Sequence, residues 1–261
     1  MTNARDRSQG TAREHAGRVA VITGAGRGFG LAFGHALAER GAHVVVADID
    51  AEAGEAGAAE IRAAGGAASA FACDVADEAQ VDALMADTVA QHGGIDVLIN
   101  NAGLHSQAYN EPMAVSGVAK LRRLFDVNVM GVLQCTLAAA PHLAQRPGAS
   151  IVNLSSSAAY GSGTAYGVSK LAVQGLTMCA ARELGPSGVR VNAVAPGLIF
   201  TDTIRAELAP EAVAMVMGQQ ILPREGEERD IVEMLLFLVS ERAAFVTGET
   251  FRVSGGFTLA I

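Results

Sequence analysis

The feature that most constrains this chain lies near its start. Val19-Ala20-Val21-Ile22-Thr23 runs straight into Gly24-Ala25-Gly26-Arg27-Gly28-Phe29-Gly30, then into a helical pattern that reaches about Arg40 and closes at Gly41. His43-Val44-Val45-Val46-Ala47 follows and ends at Asp48. A short, wholly apolar run is the mark of a strand buried on both faces, and such strands belong to parallel sheets. Two parallel neighbours need a crossover between them, which the intervening helix supplies. The glycines let the backbone turn tightly and approach a pyrophosphate, while the helix N-terminus offers N–H donors and positive potential. Asp48 comes 18 residues after Gly30. That is near the spacing at which an acid accepts from an adenosine ribose. Asp50 is better placed to cap the helix that begins near Ala51, which leaves Asp48 free for the ribose.

The alternation continues to the end of the chain. Helices are expected at about 51–64, from Asp77 to about His92, over a long region at 115–140, from Tyr166 to about Leu184, at 201–218 and at 228–240. Strands are expected at 68–73, 96–100, 150–154, 188–194 and 250–253. Asp77 with Gln80 is an N-cap signature, and Gly185-Pro186 stops the helix before it. Strands separated by helices imply a doubly wound parallel sheet of about seven strands with helices on both faces. Nothing in 17–261 reads as a linker or repeat, so one domain is expected there, preceded by a polar, disordered tail over 1–16.

Composition removes several function classes. Half of the residues are hydrophobic, enough for a large core, yet no 18 consecutive positions are apolar, so no membrane partner is expected. The net charge is −8 and the basic residues do not cluster, which argues against nucleic acid. Cys73, Cys135 and Cys179 are far apart and the six histidines lack ligand spacing, so no metal site is expected. The first residues lack an apolar h-region, and a reduced, cytoplasmic setting fits best.

In such a sheet ligands bind beyond the carboxyl ends of the strands. Gly24 to Gly30, Asp48, Asp74, Asn100 to Gly103, Ser155 to Ser157 and Pro196-Gly197 all fall there. So does Ala165-Tyr166-Gly167-Val168-Ser169-Lys170, where a tyrosine and a lysine four apart share one helix face. A phenol with pKa about 10 is a poor acid or base at neutral pH, but a nearby ammonium favours the phenolate. A serine hydroxyl can hold the oxygen on which the tyrosine acts, while a nicotinamide moves a hydride.

Together these residues resemble a classical short-chain dehydrogenase/reductase over about residues 17–258. The resemblance rests on Thr23-Gly24-x-x-x-Gly28-x-Gly30, Asp74, Asn100-Asn101-Ala102-Gly103, Asn128, the serine run, Tyr166-x-x-x-Lys170 and Pro196-Gly197-x-x-x-Thr201. It implies a Rossmann-like fold and a set of roles. Tyr166 would be the general acid or base. Lys170 would bind the nicotinamide ribose and lower the Tyr166 pKa. Ser156 would bond the substrate oxygen, and Asn128 would hold a water that links Lys170 to solvent. Gly24, Arg27, Gly28, Phe29 and Gly30 would line the cofactor phosphates and ribose, with Asp48 and Ile49 at the adenosine. Asp74 and Val75 would meet the adenine. Asn101, Ala102 and Gly103 would meet the cofactor's central part, and Pro196, Gly197, Ile199 and Thr201 its nicotinamide side. Ser156 precedes Tyr166 by ten positions, about three fewer than the common family spacing. Tyr160, in that shortened loop, faces either the substrate or solvent.

Asp48 would occupy the place of a 2′-phosphate, and Ile49 is not basic, so NAD is expected over NADP, although Arg27 argues the other way. The apolar segment 198–222, with Leu198, Ile199, Phe200, Ile204, Leu208, Val213, Met215, Val216 and Met217, implies a mobile lid over an apolar secondary alcohol or ketone. His105, Gln107 and Tyr109 would add polar contacts. The resemblance implies a homotetramer, a dimer of dimers, built through the helices near 115–140 and 165–184. Two other classes compete: a non-catalytic NAD(H)-binding sensor or scaffold, and another enzyme on the same fold, such as an epimerase or enoyl reductase.

Overall fold

A computed structural model describes residues 14–104, 109, 111–161, 163–200, 210–257 and 259. Seven strands form one parallel sheet: Val19–Thr23 (β1), His43–Asp48 (β2), Ala67–Ala72 (β3), Val97–Asn100 (β4), Ser150–Leu154 (β5), Arg190–Pro196 (β6) and Thr250–Val253 (β7). Their order is β3-β2-β1-β4-β5-β6-β7, so the chain reverses direction across the sheet between β1 and β4. Side chains alternate between faces along each strand. Ile22, Val44, Ile99 and Val152 therefore enter one core with Phe33, Leu37, Ile61 and Leu235. Val21, Val45, Leu98 and Ile151 enter the other with Leu84, Cys135 and Leu143. The inner strands are buried on both faces, which is why β1 and β2 read as apolar runs, while β5 and β6 carry buried Asn153 and Asn192.

The helices are Gly28–Glu39 (α1), Ala51–Ala63 (α2), Glu78–His92 (α3), Met113–Phe125 (α4), Gly131–Leu143 (α5), Ala158–Gly161 (α6), Ala165–Leu184 (α7), Pro210–Gln219 (α8) and Glu228–Val239 (α9). Asp50 caps α2 by accepting from Ala53 N, and Asp77 caps α3 by accepting from Ala79 N and Gln80 N. The long helix expected at 115–140 is not continuous. Gly117, at φ 73°, kinks α4, and a π-turn at Asp126–Met130 joins it to α5. By length and composition alone Met113–Leu143 could cross a membrane. Here Leu124, Val127, Cys135, Ala139 and Leu143 line it against the protein interior.

The expected tail is too long. Glu14 to Gly17 form a turn, and His15 is 1% exposed, its N–H donating to Arg40 O at 2.9 Å. Strand β4 starts after Asp96, whose carboxylate ties the start of the strand to β1 and to Arg146. It accepts from Val19 N at 2.8 Å and from Arg146 Nε at 2.9 Å. Half of the expected 201–218 helix, residues 201–209, lies outside the described residues.

Candidate active site

The carboxyl ends of β1, β4, β5 and β6 converge on one crevice, and the candidate residues gather around it. Thr23 ends β1 and organises the glycine turn. Its Oγ1 accepts from Asn101 N at 3.2 Å and Ala102 N at 3.1 Å, which ties β1 to the segment after β4. Asn101 clamps the turn from the other side: Nδ2 donates to Thr23 O at 3.0 Å and Gly24 O at 2.8 Å. Both amide hydrogens of Asn101 thus hold the loop, which leaves its side-chain oxygen to meet a cofactor. The turn has no space for a side chain at Gly30, where a Cβ would lie 2.3 Å from Gly24 O. Gly28 is the opposite case. It has φ 55°, and no described residue comes within 4 Å of a Cβ there, so among the described residues the loop is open at that point.

That opening coincides with the bare start of α1. Arg27 supplies no side-chain cap, and the first turn carries no acid. Uncapped N–H groups facing open space at a helix N-terminus suit an anionic group such as a pyrophosphate. Phe29 packs against the α1 side of the core and stacks on Phe33 with centroids 6.1 Å apart. Asp48, 6% exposed at the end of β2, accepts from Gly26 N at 2.9 Å and Asp50 N at 3.0 Å. Each of its oxygens keeps a further lone pair for a ribose hydroxyl. Arg27 turns outward to an exposed ion pair with Asp50 at 3.2 Å, and Ile49 is exposed.

Asp74 and Val75 form the wall under β3. The Asp74 carboxylate accepts from Ala76 N at 3.0 Å and from Arg123 Nη2 at 2.9 Å, across 49 positions of sequence. Val75 is buried against Gly131 of α5.

On the other side of the crevice α7 presents Tyr166 and Lys170. Thr164 caps the helix by accepting from Gly167 N at 3.2 Å. Ser156 hydrogen-bonds the Tyr166 phenol and also accepts from Ala158 N at 3.2 Å, so it starts α6 and touches the tyrosine at once. Ser155 and Ser157 are buried. Ser155 Oγ donates to Lys170 O at 2.9 Å and accepts from Gln174 Nε2 at 3.1 Å, which ties α7 to the end of β5. Tyr160, in α6, lies under Arg252 of β7, whose guanidinium carbon is 4.9 Å from the ring centroid.

Lys170 is buried, donates to Leu154 O at 2.8 Å, and has its Nζ 5.9 Å from the Tyr166 ring centroid. Desolvation lowers its pKa to about 8. Burial pushes the Tyr166 phenol above its ordinary value, and the Ser156 hydrogen bond opposes that rise. This corrects the expectation of a lowered Tyr166 pKa: desolvation of the phenolate is the larger effect in the chain alone. Asn128 is fully buried within the π-turn. Its Oδ1 accepts from Leu104 N at 2.7 Å, and Nδ2 donates to Ser169 Oγ at 3.1 Å and Leu104 O at 3.3 Å. Both amide hydrogens are thus engaged within the protein, so Asn128 has only oxygen atoms to offer a water.

Pro196 O accepts from Ser157 N and Gly197 N donates to Val253 O, which locks the crevice rim to β7. Ile199 bridges Gly226 and buries its side chain in the core, so only its main chain is available to a ligand. Tyr109 is buried in a cluster with Leu124 and Ala165, against which Tyr166 packs. Thr201, His105, Gln107, Ile204 and Leu208 lie outside the described residues. Sequence reasoning missed Thr23, Arg123 and Ser169 as site residues. Thr23 and Ser169 sit inside motifs already singled out, whereas nothing local marks Arg123.

A family profile described as Enoyl-(Acyl carrier protein) reductase matches residues 24–258. An uncharacterized oxidoreductase of Mycobacterium tuberculosis is 42% identical over 239 residues, covering 92% of this chain and 96% of its own. The cis-4-hydroxycyclohexanecarboxylate dehydrogenase of Sinomonas cyclohexanicum is 38% identical over 244 residues, covering 92% and 96%. Among solved structures, a 7 alpha-hydroxysteroid dehydrogenase complexed with NADH and 7-oxo glycochenodeoxycholic acid superposes with TM-score 0.88 at 34% identity, covering 98% of both chains.

Proposed function

The chain belongs to the classical short-chain dehydrogenase/reductase family, and on that premise we propose that this oxidoreductase moves a hydride between NAD(H) and a secondary alcohol or ketone that is largely apolar. The observation that carries this reading is the Ser156–Tyr166 hydrogen bond with Lys170 buried one helical turn away, at the crevice that also opens onto the glycine loop. Bound coenzyme would supply or accept the hydride. Tyr166 gives its phenolic proton to the carbonyl oxygen in reduction and takes it back in oxidation. Ser156 bonds the same oxygen and orients the phenol. The Lys170 ammonium, held by Leu154 O, favours the phenolate as negative charge develops. A relay water beside Lys170 would use the oxygen atoms of Asn128.

The residues present suit a dinucleotide. Gly24, Gly28 and Gly30 with the uncapped start of α1 receive the pyrophosphate, and Asp48 the adenosine ribose. Asp74 and Val75 flank the adenine, with Asn101 to Gly103 along the middle. Pro196, Gly197, the Ile199 main chain and Thr201 take the nicotinamide side. A buried carboxylate at Asp48 repels a 2′-phosphate, Arg27 is occupied by Asp50, and Ile49 gives no cation, so NAD is preferred over NADP.

The cis-4-hydroxycyclohexanecarboxylate dehydrogenase and the 7 alpha-hydroxysteroid dehydrogenase act, by name, on a hydroxyl carried by a ring, which favours an alicyclic alcohol or ketone here. The profile's description names an enoyl reductase, but a tyrosine four positions before its lysine suits proton transfer to a carbonyl oxygen. Met215, Ile221 and Leu222 expose apolar surface on the lid side. Met130 and Leu137 near α5, and Val168, Leu171 and Met178 on α7, are exposed and apolar, and we assign them to the interfaces of a homotetramer. The free thiols of Cys73, Cys135 and Cys179 suit a reducing cytoplasm.

The test is NADH and NADPH oxidation against cyclic, aliphatic and aromatic ketones, with wild type and Tyr166→Phe in parallel. The expected result is turnover with NADH at least about tenfold more efficient than with NADPH. Tyr166→Phe should lose about a hundredfold or more, the scale of general acid catalysis, while still binding NADH. Equal rates in wild type and variant would refute the assignment.

A further inference from the structure

Ser169 is completely buried, bonded to both Asn128 and Tyr166 and next to Lys170 in the chain. It stands three positions after Tyr166 and one before Lys170 on α7. Its hydroxyl donates to the Tyr166 carbonyl at 2.7 Å, a local bond open to a helical serine. A hydroxyl carries one proton. With that proton turned to Tyr166, the oxygen can meet Asn128 only as an acceptor, and Asn128 Nδ2 donates to it at 3.1 Å.

This arrangement sets the Asn128 amide in one orientation. Its oxygen takes the Leu104 N–H at 2.7 Å, and its second N–H reaches the Leu104 carbonyl at 3.3 Å. Asn128 thus pairs with both backbone groups of Leu104, as a neighbouring strand would. A flipped amide would set donor against donor at Leu104 N and acceptor against acceptor at Leu104 O. The effect reaches the reacting groups through Gly103, the residue before. A Cβ built there would lie 3.3 Å from Asn128 Oδ1 and 3.4 Å from Lys170 Nζ. The amide oxygen and the ammonium therefore lie together on the side of Gly103 where a side chain would stand.

We infer that Ser169 is a positioning residue that acts through the Asn128 amide to hold the Gly103-Leu104 backbone against the Lys170 ammonium. The inference rests on the assignment of Tyr166 and Lys170 above, but it touches neither substrate nor coenzyme directly. Buried polar networks of this kind are sensitive to a single unpaired member.

A double-mutant cycle tests it, with kcat and NADH Kd measured for Ser169→Ala, Asn128→Ala and the pair, and Tyr166→Phe as reference. Ser169→Ala is expected to lower kcat about tenfold, the scale of one buried donor left unpaired, with NADH Kd within about twofold of wild type. In the Asn128→Ala background the same change should cost less than about twofold, because the group it acts through is gone. Ser169→Cys, which keeps the side-chain shape with a larger atom and a weaker acceptor, should fall between and serves if the alanine variant does not fold. Unchanged kcat in both Ser169 variants, or equal losses in both backgrounds, would overturn the inference. If Tyr166→Phe itself turns over normally, the active-site assignment falls instead.

Discussion

Lys170→Met should make the coenzyme-free protein more stable while abolishing turnover. Lys170 is 6% exposed, and desolvation lowers its pKa from 10.5 to about 8. The unfolded chain therefore holds the proton between about pH 8 and 10.5 where the folded chain does not, so stability rises with pH across that window. Below pH 8 both states are protonated and the full penalty stands. The penalty is about 3 kcal/mol, the free-energy equivalent of lowering the pKa from 10.5 to about 8. Methionine removes it but leaves Leu154 O without the ammonium that bonds it at 2.8 Å, a loss of about 1 kcal/mol. The net gain at pH 7 is about 2 kcal/mol, several degrees in Tm for a chain this size. The assay is thermal and denaturant unfolding of both proteins without nucleotide at pH 7, 9 and 10.5. The gap should narrow as pH rises, and at pH 10.5 the wild type should match or exceed the variant. A variant no more stable than wild type at pH 7, or a gap independent of pH, would refute the argument that the lysine is held at a desolvation cost.

Two further outcomes are expected. His15 is buried with neither ring nitrogen hydrogen-bonded among the described residues, and burial, with Arg18, Arg40 and Arg242 nearby, lowers its pKa to about 4. Its folded value lies below its unfolded one, so stability is complete above about pH 6.5 and is lost as pH falls toward 4. The loss is about 2 kcal/mol by pH 5, and a wild-type pH dependence that persists in His15→Leu would exclude His15 as its source. Gly30→Ala forces a Cβ to 2.3 Å from Gly24 O and 2.7 Å from Asn101 Nδ2, so the glycine turn must open. NADH Kd should rise at least about tenfold by titration calorimetry with the far-UV circular dichroism unchanged, and wild-type affinity would show that the turn is not the coenzyme seat.

Much of this protein is written locally. The apolar runs at β1, β2 and β4 give strands because a strand buried on both faces takes mostly apolar side chains. Asp50 and Asp77 start their helices because a carboxylate at the N-cap satisfies N–H groups two or three residues on. Tyr166 and Lys170 share a face because four residues are just over one helical turn. The crevice follows from the alternation of strands and helices, since a parallel sheet places every strand's carboxyl end on one edge.

What the tertiary structure decided is how these residues use their hydrogen bonds and charges. Asn128 and Ser169 are 41 positions apart, and Thr23 and Asn101 are 78 apart, so no local pattern shows that each pair is bonded. The amide hydrogens of Asn101 and Asn128 are engaged within the protein, and Arg123 holds Asp74, because the fold brings those elements together. The pKa directions of His15, Tyr166 and Lys170 come from burial. The sequence determined where the chemistry stands. Which of its groups remain free, and how desolvation tilts their protonation, depends on packing between segments distant in the chain.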